Sequence, residues 1–168
     1  MSDDVAIVGI GMHPFGRHDG VTGMEQGAVA IRNACADAGV EWGDLQFAFG
    51  GSTAAGAADT IVSQMGLTGL QFINVVNGCA TGGSALISAY NTIRSGAFDL
   101  GIAIGFDKHE RGAYRIQSGK AGERDWYGGS GMALTTQFFG MKINRYMEQY
   151  GITQSSLCLL YTSDAADD

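Results

Sequence analysis

The sequence predicts an α/β protein built on a mostly parallel sheet covered by helices. Two observations carry that expectation. Short apolar, β-branched runs alternate with stretches of helical period, and strand–helix–strand–helix order is how a parallel sheet is wound. The 27 glycines stand against a single proline among 168 residues. They fall at strand ends and helix starts, as tight junctions between such elements require.

In chain order, Val5-Ala6-Ile7-Val8-Gly9-Ile10-Gly11 reads as a central strand buried on both faces. Its Gly9-x-Gly11 lacks the third glycine of a dinucleotide fingerprint, because Pro14 stands there and Met12 to Gly16 reads as a loop. A helix is predicted over Gly23–Ala38, with Met24, Ala28, Ile31, Cys35 and Ala38 on one stripe and Gly39 as its cap. Cys35 on that stripe is core filling. Leu45–Gly51 is the second strand, Ala57–Met65 the second helix, and Gln71–Val76 the third strand. A helix over Ser84–Ser95 and a fourth strand over Phe98–Phe106 follow, then a helix over Leu134–Tyr150 capped by Gly151, with Thr153 as the N-cap of another.

Cys79 stands where the third strand stops and a helix begins. Unpaired amide groups and the helix dipole favour negative charge at such a place, and a thiolate is the attacking form of cysteine. Gly78, Ala80, Gly82 and Gly83 leave room for an acyl group. Packing is the commoner work of a cysteine, and local pattern leaves both roles open. In a parallel sheet every strand's carboxyl end lies on one edge, where ligands bind. Cys79 belongs to that edge, as does the segment starting at Asp107. Within residues 108–124 stand Lys108, Arg111, Arg115, Lys120 and Arg124, half of the chain's ten basic residues. They read as a solvated loop or as the contact of a phosphate-rich ligand. A base is harder to find. His109 follows the fourth strand at the right edge, whereas His13 and His18 sit in an early loop.

Composition narrows the rest. A net charge of −7 speaks against a nucleic-acid partner. No run approaches the length of a membrane span. Three cysteines without metal-ligand spacing and an acidic start fit a cytoplasmic protein, with no metal expected.

Several motifs in order resemble the thiolase superfamily, in particular sterol-carrier-protein-type thiolases and acetyl-CoA acetyltransferases. Val5 to Gly11 with Phe15-Gly16-Arg17 resembles the family's start, and Asn77-Gly78-Cys79-Ala80-Thr81-Gly82-Gly83-Ser84-Ala85-Leu86 its nucleophile motif. Gly105-Phe106-Asp107-Lys108 is similar to the end of its fourth strand, and Phe139 to Gly151 to its later helix and turn. The resemblance implies the N-terminal half of a two-half fold. Residues 1–106 would be a βαβαβαβ core, and residues 107–157 part of an inserted loop domain with the following helix. Residues 158–168 resemble a translated sequencing adapter and are expected to be a non-native tail. By the resemblance, Cys79 accepts an acyl group from an acyl- or 3-oxoacyl-coenzyme A in Claisen cleavage or condensation. Coenzyme A enters as a substrate thioester, with no separate cofactor. The activating histidine, second cysteine and much of the oxyanion hole would lie in the other half, leaving this chain inactive alone. The longer parent is expected to be a homodimer. The alternatives are a steroid side-chain thioester lyase (retro-aldolase) that works with a small partner protein, and a non-catalytic lipid- or acyl-carrier-binding module.

Overall fold

The computed structural model describes residues 4–52, 57–108 and 135–158. The chain divides into two units, Met1–His109 and Glu110–Asp168. His109, most of the basic segment and the tail beyond Cys158 lie outside the described residues.

The first unit is a three-stranded parallel sheet, β1 (Phe47–Gly51), β2 (Gln71–Asn74) and β3 (Gly101–Gly105), in the order β2-β1-β3. Phe47 is level with Gln71 on one side and Gly101 on the other. Gln46 sets the amino-terminal ends, its amide oxygen accepting from the backbone N–H of Asp99 at 2.7 Å and of Leu100 at 3.1 Å. The central strand is buried throughout and its side chains alternate. Phe47 and Phe49 pack with Ala85 and Ala89 of α3 (Thr81–Arg94). On the other face α1 (Gly23–Ala38) contributes Ala28, Ile31 and Cys35 to a cluster with Trp42, Leu45, Ala58, Ile61 and Phe106. Complete burial of a side chain such as Phe47 or Ile61 is worth about 1.5–3 kcal/mol.

Helix α1 is well specified. Thr22 and Glu25 form a capping box, with Glu25 N–H donating to Thr22 Oγ1 at 3.1 Å and Thr22 N–H to Glu25 Oε2 at 2.6 Å. Gly39 ends the helix in the left-handed conformation, φ 69°. The expected helix over Ala57–Met65 is instead a 3₁₀ turn, Ala58–Ile61, running into the single-turn α2 (Val62–Met65). Helix α3 begins three residues earlier than its periodicity predicts. Beyond 134, in the second unit, α4 (Thr135–Tyr150) carries Lys142 Nζ over the Phe138 ring at 4.4 Å, and Gly151 follows with φ 65°. Thr153 then immediately precedes α5 (Gln154–Cys158).

One expectation is corrected. Val5–Gly11 is not a strand of the sheet. β1 is already paired on both sides, and the run lies against α1 instead. Its glycines permit this, because a Cβ at Gly9 would come 2.5 Å from the Ala34 carbonyl oxygen, and one at Gly11 would collide with Ala30 and Ala34. Ile10 N–H donates to the Asp37 carboxylate at 2.9 Å, and Asn33 Nδ2 to the Met12 carbonyl at 3.2 Å. Far from being buried on both faces, Ile7 is 72% and Ile10 75% exposed. The βαβαβαβ core therefore shows three strands among the described residues.

Candidate active site at the carboxyl edge of the sheet

The carboxyl ends of the three strands meet on one edge, and each is tied to a neighbour. β2 is extended by Val75, whose N–H donates to the Gly50 carbonyl at 2.7 Å. After β1, Ser52 Oγ donates to Asp107 Oδ1, just past β3, at 3.3 Å. The chain leaving β2 then makes a turn at Gly78, φ 54°, a conformation that favours glycine. A 3₁₀ turn over Gly78–Ala80 leads directly into α3.

Cys79 sits in that turn and is exposed. A Cβ added at Gly78, Gly82 or Gly83 meets nothing within 4 Å, so open space surrounds the sulfur's neighbours. Three polar side chains hold the turn from beneath. Thr81 Oγ1 donates to the Gly78 carbonyl at 2.8 Å and accepts from Asn77 N–H at 2.9 Å, while Asn77 Nδ2 donates to Ser84 Oγ at 2.8 Å. Sequence reasoning passed over these residues, and their signal is a Thr and a Ser in the first turn of a helix after an Asn.

Cys35 is buried, and burial pushes its thiol above the ordinary value, with the carboxylates of Glu41 and Asp44 adding to the shift. Cys158 closes α5. The early histidines are engaged with each other and not with Cys79. His13 Nδ1 and His18 Nε2 both donate to the Pro14 carbonyl at 2.9 Å, with the rings edge to face at 4.5 Å. Lys108, counted by sequence within the basic segment, spends its ammonium on the carbonyls of His18 (2.6 Å) and Val21. Among the described residues, no three His, Cys, Asp or Glu side chains converge as metal ligands would. A groove of about 570 Å³ lies elsewhere, between the Val5–Gly11 run, α1, β3 and the Ala89–Ile93 side of α3, and Cys79 does not line it.

Residues 5–158 match the family model described as "Thiolase, N-terminal domain". Sterol carrier protein 2 of Bos taurus is 35% identical over 167 residues, covering 89% of this chain and 30% of the relative. An acetyl-CoA acetyltransferase of Methanothermobacter thermautotrophicus is 29% identical over 165 residues, covering 94% of this chain and 43% of the relative. The chain thus spans well under half the length of these curated relatives. Among solved structures, the Ltp2-ChsH2(DUF35) aldolase superposes with a TM-score of 0.65 at 22% identity, over 89% of this chain and 39% of that one. That likeness concerns the fold. With the sheet, the cysteine turn and a family match across nearly the whole chain in agreement, the chain belongs to the thiolase family.

Proposed function

We propose that this chain supplies the acyl-accepting half of a thiolase-type acyltransferase, with Cys79 as the nucleophile and a coenzyme A thioester as substrate. The observation that carries the reading is the placement of Cys79. It is exposed, on the turn between a parallel strand and a helix, at the sheet edge and with open space over its glycine neighbours. In the cleavage direction, the thiolate sulfur bonds to the C3 carbonyl carbon of a 3-oxoacyl-coenzyme A. The C2–C3 bond then breaks, and acetyl-coenzyme A leaves with a proton on C2. A second coenzyme A thiol takes the acyl group from sulfur and gives up its proton. By the family resemblance, the proton-transfer groups would belong to the other half of a longer protein; both early histidines are engaged with Pro14. The basic residues after Lys108 would meet the phosphates of coenzyme A.

The same reading extends to assembly and place. Among the described residues the exposed β2 pairs only with β1, and an edge of this kind is suited to pairing with its own copy, so the longer protein would be a homodimer through β2. Unpaired cysteines fit the cytoplasm. No described helix is long and apolar enough to cross a membrane.

The test is acetoacetyl-coenzyme A cleavage by the full-length protein and its Cys79→Ala variant. The expected result is loss of turnover with folding retained. Undiminished cleavage by the variant sinks the reading, and steroid-thioester cleavage without any dependence on added coenzyme A redirects it to a lyase.

A further inference from the structure

Thr81 touches three parts of the sheet edge at once. Its hydroxyl accepts from Asn77 N–H and donates to the Gly78 carbonyl, so one oxygen fastens the two residues that precede Cys79. Its methyl lies over Gly51 at the end of β1, where any Cβ would collide with Thr81 Cγ2. The start of α3 can therefore rest on the central strand only because that position is glycine. The hydroxyl is not spent on capping its own helix. Ala80 occupies the cap position of α3, and no side chain caps it. Thr81 bonds backwards, into the turn that carries the cysteine. Nothing lies within 4 Å of a Cβ at Gly78, Gly82 or Gly83, so the space beside those glycines is open. Among the described residues its side-chain restraints are Thr81 and the Asn77–Ser84 bond.

We propose that Thr81 is a positioning residue for Cys79, its hydroxyl locking the turn so that the sulfur is presented outward at the sheet edge. The inference rests on Cys79 as the acyl acceptor and names what holds it ready. A substrate-free readout keeps the two separable: the rate at which iodoacetamide alkylates Cys79 of this chain at neutral pH, mapped by peptide mass spectrometry. Thr81→Val keeps the shape and removes the hydroxyl. It is expected to slow alkylation roughly fivefold, the factor that corresponds to about 1 kcal/mol for one hydrogen bond. Thr81→Ser is expected to keep the original rate. Cys35 reports on folding, because it is buried and stays unlabelled while the core is intact. An unchanged Cys79 rate in Thr81→Val with Cys35 still protected overturns the proposal. Should Thr81→Val also open Cys35, Thr81→Ser and Thr81→Ala decide, since both lack the methyl and differ in the hydroxyl. Equal rates for that pair overturn it as well. Failure of the acyl-transfer reading would show instead as undiminished turnover in Cys79→Ala and leaves these labelling rates untouched.

Discussion

At the scale of single residues, the chemistry of a side chain here follows from what surrounds it. Cys35 and Cys79 are the same thiol in opposite settings, one walled in by α1 and its core partners, the other open on a turn. Burial favours the neutral form, so Cys35 holds its proton more tightly in the folded chain than in the unfolded one. The sign of the consequence is fixed by linkage. Stabilisation from this group is complete below the unfolded thiol value, about 8.5, and is lost as pH rises through the raised folded value. Urea midpoints should therefore fall between pH 7.5 and the alkaline range, and Cys35→Ala should flatten that part of the profile. A parallel fall in both proteins would assign the loss to other groups. The sequence alone marked Cys79 because a strand-to-helix junction is visible as a change of period. It hid Asn77, Thr81 and Ser84, because which hydroxyl bonds backwards depends on a turn that only the fold defines. Lys108 shows the same limit. As part of a basic run it reads as a phosphate contact, yet the carbonyls it holds, those of His18 and Val21, are 90 and 87 residues away in the chain.

Among elements, α1 was the most legible. Its stripe of Ala28, Ile31 and Cys35 is buried as its period requires, and both of its ends are written in short-range chemistry. Loss of the cap should be felt directly. Thr22→Ala removes the oxygen that accepts from Glu25 N–H and is expected to lower stability by about 1 kcal/mol, read from the shift in urea midpoint. Glu25 adds a pH signature. Its carboxyl is held below the ordinary value by the backbone N–H and then the hydroxyl of Thr22, with Lys108 contributing less. That contribution is present above about pH 4.3 and disappears as pH falls through the depressed value. Glu25→Gln, which removes the titrating carboxyl, should then show a shallower acid limb than the parent chain, and identical limbs would contradict the capping box as its source. The Val5–Gly11 run was the least legible element. An uninterrupted apolar run reads the same whether it enters a ladder or lies along a helix. The glycines that suggested a strand end instead admit the backbone against Ala30, Ala34 and Ala38.

For the first unit as a whole, the apolar surface exceeds what the sheet and its helices cover. Ile7, Val8 and Ile10 stand out along the run beside α1, and Leu86, Ile87 and Tyr90 along α3, all exposed. Ala85 and Ala89 of α3 pack on the sheet with Ile93 beside them, while Leu86, Ile87 and Tyr90 remain exposed. The sheet covers one side of α3, and among the described residues these exposed side chains have no cover. Exposed apolar area on this scale drives association in water. The chain by itself should therefore self-associate, its apparent mass by light scattering rising with concentration. Replacing Leu86 and Ile87 by lysine should reduce that association while leaving the fold intact. The fold is expected to survive because neither side chain is in the packed clusters. A chain that stays monomeric at every concentration would show that the exposed apolar residues of α3 are tolerated in water, and would remove the physical reason for expecting a second layer on them.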